Sequence, residues 1–371
     1  MTDAGDDAEL ARQARELLEK IAAVPRFAGS SAEAKARAFC AEVLSANGFS
    51  VVEKELEFSE FTGKYAVPVL SLVLAVVSLR TSHVYYHHGG ALSALTFYAF
   101  AIALVVYAGH WLGGKGLTAI PWMRSRSANL VATRGAPSVW LVAHLDSKSQ
   151  TLPMLARIIA IVLSAFLTIL LAVLLVARVA GAVGAISIAA IVAKILALAL
   201  VPLILCFTGD RSPGAADNAS GLIAILLAVR ALQSRENLGV IITTGEELAL
   251  VGARAFVRTQ AVRGIAINCD TIDDNGRFRC MIRGERGAAV ANLLAAAKRL
   301  GFDVPVTSIL PGILTDGIAF SDAGWDCLTL SHGNIATLAR VHTSRDTRER
   351  LDGTGIAKAA RLITATVEEL I

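Results

Sequence analysis

Apolar residues are spread unevenly along the 371 residues of the chain. They crowd into two blocks, 65–113 and 153–207, while the flanking stretches carry apolar positions at helix or strand period. In residues 8–23, Leu10, Leu17, Leu18 and Ile21 recur at helical spacing with charges between them, which predicts an amphipathic helix. A second helix is predicted over 31–47, with Ser30 or Ser31 as N-cap and Gly48 as its stop. SVVEKELEF (50–58) alternates as a half-exposed strand does.

The two apolar blocks predict four membrane helices in two hairpins. A bilayer core takes about 20 apolar residues of helix. Residues 91–112, 158–177 and 185–207 reach that length, and 65–79 is short. The connection RTSHVYYHHGG places Tyr85 and Tyr86 where an aromatic interface belt is expected, with a tight turn at Gly89–Gly90. A glycine-containing break at 179–184 separates the second pair. Two hairpins return the chain to the side it left. On that side lie Lys64, Lys115, Arg124, Arg126, Lys148, Arg157 and Arg211, whereas the hairpin turns carry Arg80 and Arg178. The positive-inside rule then predicts a cytoplasmic soluble part. The acidic start, MTDAGDDAELARQ, has no cationic or apolar signal-like segment, so insertion is expected to use the internal helices.

Outside the blocks, SVWLVA (138–143), LGVIITT (238–244) and GIAINC (264–269) read as buried strands. They alternate with helices predicted at 218–232, 248–260, 287–300 and 353–370. The expected fold class is α/β: a mostly parallel central sheet flanked by helices, interrupted by two transmembrane hairpins. The corresponding segments are 1–64, 114–152 and 208–371 for the soluble part, with hairpins at 65–113 and 153–207.

Composition agrees with this division. Hydrophobic residues make up 54% and charged residues 18% of the chain, and mean hydropathy is +0.58, too apolar for an ordinary soluble enzyme. Without the blocks about 270 residues remain, enough for one α/β core. The net charge of +4 and the lack of a basic stripe make nucleic acid an unexpected partner. Cys40, Cys206, Cys269, Cys280 and Cys327 are scattered with no CxxC pair, so neither a disulfide framework nor a thiolate zinc site is indicated.

Each predicted buried strand runs into a candidate metal ligand: His144, the pair Glu246–Glu247, and Asp270. Open α/β sheets place their sites at the carboxyl ends of strands. Asp217 opens a helix in DNASG, and His342 lies in VHTSRDT. Singly, a strand-end Asp is more often a turn residue and a Glu–Glu pair a solvated helix start; their conjunction is what points to a site. Carboxylates and imidazoles suit zinc, and a catalytic zinc needs an open position. Five ligands exceed what one such ion takes, so a pair of ions sharing Asp217 fits the count. Glu246 then suits a general base, and Asp146 suits a group orienting His144 through its other ring nitrogen.

PRFAGS (25–30), AHLDS (143–147), GAADNASG (214–221), GEELALVGARAF (245–256), NCDTID (268–273), TDGIAFSDAG (315–324) and VHTSRDT (341–347) together resemble the di-zinc aminopeptidase family. That family includes bacterial leucyl-type aminopeptidases, glutamate carboxypeptidases and glutaminyl cyclases. The segments keep the family's order and cover the soluble part, whereas the hairpins have no counterpart in soluble members. The resemblance implies two Zn2+ per chain: His144 and Asp270 on one, Glu247 and His342 on the other, and Asp217 bridging. It also implies Glu246 as base and a cis peptide between Asp217 and Asn218. The chain departs from the pattern at Gly317, where many members have His, and at Gly312 and Val341, where some have an oxyanion-steadying Tyr. A metal ion or Arg345 could supply that stabilisation.

The expected function is a membrane-bound zinc exopeptidase, in the first place an aminopeptidase. Glutaminyl cyclase, dipeptidase or carboxypeptidase chemistry at the same site, and a non-catalytic membrane scaffold, are the alternatives. Expected partners are a peptide substrate and the lipid bilayer, and the sequence is compatible with a homo-oligomer. Because the second hairpin falls between His144 and Asp217, the metal site is expected close to the membrane surface. Lys194 stands mid-span, where a charge costs about 2.5–3.5 kcal/mol on insertion scales. It pairs with a partner, lines a polar cavity or snorkels. His83, His87 and His88 read as a membrane-surface loop, and Cys269 as core.

Overall fold

The computed structural model describes residues 4–88, 90–260, 262–309 and 312–371. The chain forms two compact units. One holds the chain up to Phe58, Arg124–Ser149 and Gly209–Ile371; the other holds Ser59–Met123 and Gln150–Thr208.

The first unit is a mixed α/β fold on an eight-stranded sheet. Its strands are β1 (Ser50–Ser59), β2 (Arg124–Arg134), β3 (Val139–His144), β4 (Leu238–Thr243), β5 (Ile265–Ile272), β6 (Arg277–Ile282), β7 (Val306–Ser308) and β8 (Asp326–Gly333). Their spatial order is β1-β2-β4-β3-β5-β8-β6-β7. The central four, β4-β3-β5-β8, are parallel. β2 and β6 run antiparallel to β4 and β8, and the short edge strand β7 pairs parallel with β6, so the sheet is mixed around a parallel centre.

Alternation along β3 shows how the layers form. Val139, Leu141 and Ala143 join a core with Leu17, Leu18 and Ile21 of the first helix, and with Leu222–Val229. Trp140 and Val142 point the other way, into a cluster with Phe256, Phe320 and Trp325. A period of two therefore buries both faces of a central strand under helices. Helices Ala4–Ile21, Ser31–Ala46, Ser220–Ala231, Ala288–Leu300 and Thr354–Leu370 supply one layer's core residues, and Val251–Thr259 and Asp316–Asp322 the other's. Ser30 caps the second helix, accepting from the Glu33 amide at 3.1 Å.

Among the described residues, the second unit holds four helices long and apolar enough to cross a membrane: Phe61–His87, Gly90–Leu112, Met154–Val179 and Ala185–Ile204. They pack through Ala75, Ala94, Leu171, Ala193, Leu196 and their neighbours. Two of its buried hydroxyls are satisfied by backbone: Tyr98 donates to Thr168 O (3.1 Å) and Ser78 to Ala75 O (2.8 Å). Outward side chains such as Leu104, Phe166 and Leu198 are exposed, as suits a surrounding apolar solvent.

Several elements differ from the sequence expectation. The first span, expected to be short, is 27 residues long. The polar run after Leu79 continues the helix through His87, so Tyr85 and Tyr86 are helical and the His83 and His87 ring centroids lie 4.5 Å apart. Gly90 begins the next helix, and Gly89 of the expected turn lies outside the described residues. The last span ends at Ile204 rather than 207. The helix expected from 248 starts at Val251, because Ala249 (φ 73°) and Leu250 (φ 62°) turn left-handed first.

Candidate metal centre

The residues that the sequence singled out are brought together at the carboxyl edge of the parallel strands. His144 is the last residue of β3. Glu246 and Glu247 follow β4 after Gly245, whose φ of 64° turns the chain. Asp270 lies inside β5, which runs two residues beyond it. Asp217 sits in the turn Ala215–Ala219 before helix Ser220–Ala231, and its peptide bond to Asn218 is cis, as the resemblance implied. His342 follows the short helix Ile335–Arg340 with a φ of 62°.

Their side chains form two adjoining clusters, His144–Glu246–Asp270 and Asp217–Glu247–His342. Asp217 faces both imidazoles. Its Oδ1 is 3.2 Å from His144 Nε2, and its Oδ2 is 3.0 Å from His342 Nε2. His144 Nε2 also stands 3.7 Å from Asp270 Oδ1 and 4.0 Å from Glu246 Oε2. His342 Nε2 is 3.2 Å from Glu247 Oε1. All six residues are buried.

Protonation logic tests whether a cation fits. His144 Nδ1 lies 3.0 Å from the Asp146 main-chain carbonyl, which can only accept, so Nδ1 carries a hydrogen. In the neutral ring the lone pair on Nε2 then points at carboxylates, and Nε2 has no hydrogen-bond partner among the described residues. Glu247 Oε1 is likewise buried without one. Lone pairs converging in a buried place are tolerated only with a proton or a cation between them. The donor set of imidazole nitrogens and carboxylate oxygens matches zinc.

The electrostatics of the side chains alone point the same way. Burial lowers the His144 imidazole, but Glu246, Asp217 and Asp270 outweigh it and hold it well above its ordinary value. His342 is raised for the same reason, burial being outweighed by Glu247. Burial raises Glu246 well above the carboxylate range, His144 opposing and Glu247, Asp270 and Asp316 adding. Asp217 goes the other way: burial would raise it, and the two imidazoles pull it below its ordinary value. Protons thus hold the site together where a metal would replace them.

Asp146 acts differently from the expectation. Its carboxylate Oδ1 is 3.7 Å from His144 Nδ1, beyond a hydrogen bond, and the ring is held instead by the Asp146 carbonyl. The carboxylate accepts from the Glu246 and Glu247 amides at 3.2 Å each, fixing the glutamate turn. Gly317 also has a local reason: a Cβ there would stand 2.4 Å from Thr329 Oγ1, so a histidine would displace that side chain. Arg345 is exposed and donates to Ala339 O at 3.1 Å.

Four groups around the site had no role assigned from sequence. Arg26 is fully buried and donates to Leu145 O (2.9 Å), Ile21 O (3.0 Å), Pro213 O (2.5 Å) and Gly214 O (3.0 Å), tying the His144 and Asp217 loops together. Asp346 accepts from the Ala216 and Asp217 amides at 2.9 and 3.1 Å. Lys148 Nζ is 2.6 Å from Glu247 Oε2, a buried ion pair. Asp316 is bonded to Thr243, and burial pushes it up to about 7. Three of the four lie inside segments that carry the family resemblance (PRFAGS, TDGIAF and VHTSRDT), which is where a search for supporting residues would begin; Lys148 directly follows AHLDS.

A family model described as peptidase family M28 matches residues 128–367. A search of curated protein sequences gives no match. Among solved structures, BSAP, a zinc aminopeptidase from Bacillus subtilis, superposes with a TM-score of 0.59 at 16% identity, over 97% of this chain and 95% of that one. An aminopeptidase from Aneurinibacillus sp. strain AM-1 gives 0.59 at 12% identity, over 98% and 95%. A glutaminyl cyclase from Bacteroides thetaiotaomicron gives 0.54 at 13% identity, over 98% and 97%. At these identities the likeness is one of fold.

Proposed function

Because the chain belongs to peptidase family M28, we propose that it is a membrane-bound, zinc-dependent exopeptidase that removes residues from peptide N-termini. The observation that carries this reading is the position of Asp217, with one carboxylate oxygen toward His144 and the other toward His342. That placement suits a bridging ligand. In the proposal, His144 and Asp270 complete one zinc site and Glu247 and His342 the other.

Zinc, when bound, polarises the scissile carbonyl and brings the ionisation of water near neutral pH. The chain's own residues do the rest. The Glu246 carboxylate accepts from no main-chain amide among the described residues and faces His144 across 4.0 Å, so its oxygen is placed to take a proton from the attacking water. As water adds to the carbonyl, Glu246 holds that proton and then delivers it to the leaving amine. Asp146 keeps the glutamate in place through the two amides it accepts from.

The membrane part of the proposal rests on the four long apolar helices. Excess Lys and Arg at Lys64, Lys115, Arg124, Arg126, Arg157 and Arg211 supports a cytoplasmic peptidase part.

A second reading has one observation in its favour. Asp217, Glu247 and His342 form a complete triad by themselves. One zinc there, with Glu246 as acid–base, would suit intramolecular cyclisation of an N-terminal glutamine. Zinc per purified chain, together with turnover of free-amino, N-acetylated and N-terminal glutaminyl peptides, separates the two. Two zincs and release of free N-terminal residues support the aminopeptidase. One zinc with cyclised product and no hydrolysis overturns it.

A further inference from the structure

Lys194 is the tenth residue of the 20-residue helix Ala185–Ile204. At about 1.5 Å per residue it stands about 14–15 Å from either end. Its extended side chain reaches roughly 6 Å from Cα, too short to bring the ammonium to either interface. The helix buries Ala189, Val192, Ala193, Leu196 and Leu200 against its own unit. Lys194 lies on the opposite face and is exposed, between Ile191 (57% exposed) and Leu198 (71%). It has no hydrogen-bond or ion-pair partner among the described residues. If the helix spans a bilayer about 30 Å thick, this ammonium faces the middle of the lipid, where a charge is costly unless paired.

We propose that the Lys194 face of this helix docks a transmembrane helix of another protein that carries an aspartate or glutamate near its middle. The inference rests on the membrane-spanning reading given above. Charge complementarity selects the partner. The four apolar helices contain no aspartate or glutamate anywhere along their lengths. A second copy of this chain therefore brings no carboxylate to the midplane, and symmetric pairing on this face sets lysine against lysine. A carboxylate on a foreign helix neutralises the ammonium where no water reaches it. Exposed Ser187 lies seven residues, two turns, before Lys194 and adds a hydroxyl to the same face.

The test uses the full chain in phosphatidylcholine vesicles, fluorescently labelled at its C-terminus. The probes are synthetic leucine-rich transmembrane helices with Asp, Asn or Leu at the central position, and energy transfer reads their association. The Asp helix is expected to associate about tenfold more strongly than the Leu helix. Lys194→Leu should abolish that preference and Lys194→Arg should keep it. Since Lys194 faces away from the unit's core, Lys194→Leu is expected to fold.

Equal association of the Asp and Leu helices overturns the proposal, as does an Asp preference that survives in Lys194→Leu. Lys194-dependent self-association, with no preference for the Asp helix, would assign the face to a second copy and overturn the choice of partner. Leu198→Cys reports on the underlying reading, since the native cysteines are buried. Protection of Cys-labelled position 198 from a membrane-impermeant maleimide, with no Asp preference, removes the docking inference alone. Free labelling there removes the membrane reading and the docking with it.

Discussion

Arg26→Met isolates what holds the two ligand loops together. The guanidinium is fully buried and donates to four carbonyls, two of them, Leu145 O and Gly214 O, within three residues of His144 and Asp217. Burial lowers its pKa to about 10, Asp346 and Asp146 opposing, so it remains a cation at neutral pH. A hydrogen bond to a charged group contributes about 1.5–3 kcal/mol. Methionine fills much of the same space, and removing a buried charge recovers part of the desolvation cost. The net loss should be about 3–5 kcal/mol, the four lost bonds to a charged donor being partly offset by that recovery. At about 2 °C per kcal/mol for a chain of this size, the midpoint should fall by about 6–10 °C. Trp140 and Trp325, buried in the peptidase unit, give the fluorescence signal. Loosening the loops should also weaken zinc by about 10–100-fold in competition with a chelator, the usual cost of losing a group that orients ligands. Arg26→Lys keeps the charge but cannot reach four acceptors, and should fall between. A variant Arg26→Met that melts within about 2 °C of the parent and binds zinc equally well would refute the positioning role (both thresholds being of the order expected for a surface change).

Other consequences follow from the same geometry. Glu33 is buried beneath Thr244 and Ser127, and burial raises it from 4.5 to about 7, Asp146 adding and the Thr244, Ser127 and Gly29 hydrogen bonds opposing. The folded state then binds this proton more tightly than the unfolded state. Its stability contribution is full below about pH 4.5 and is lost by about pH 7, amounting to about 3 kcal/mol. The parent should therefore lose stability across that window relative to Glu33→Gln, and parallel pH–melting curves would contradict this. Lys148→Met leaves the buried Glu247 carboxylate without its ammonium when no ion is bound. The difference in melting temperature between zinc-loaded and ion-free protein should widen in that variant, and an unchanged or smaller gap would remove Lys148 as counter-ion. Asp146→Ala strands two buried amides at the glutamate turn. Its turnover should fall by about 10–100-fold, and parent-like turnover would show that the turn holds without it.

The parts of this molecule that were legible in the sequence share a physical cause. β3, β4 and β5 are buried on both faces, so they appear as continuous apolar runs, and each delivers a ligand at or near its end. The amphipathic helix at the start and the apolar spans were legible by periodicity and length. β2, β6 and β8 were not foreseen. RSRSANLVATR and RFRCMI mix arginine with apolar residues, and DCLTLSHG is polar at both ends with a threonine breaking its apolar centre. Their strand identity comes from pairing with neighbours, not from local pattern. The helical run through His87 was missed because its polar residues break the apolar pattern without breaking the backbone helix. The six residues drawn together at the site were named by their place at strand ends and by resemblance. The contacts of Arg26, Asp346 and Lys148 join segments about a hundred or more residues apart, so no local reading reaches them.

The central claim is that Glu246 moves the proton at a zinc site whose ligands are other residues. Turnover of an aminoacyl anilide by the zinc-loaded parent and by Glu246→Gln, with bound zinc counted in the same samples, tests it most directly. The account predicts a fall of about 10²–10⁴-fold in turnover with zinc content unchanged. Parent-like turnover in Glu246→Gln, or loss of zinc in step with activity, would contradict it.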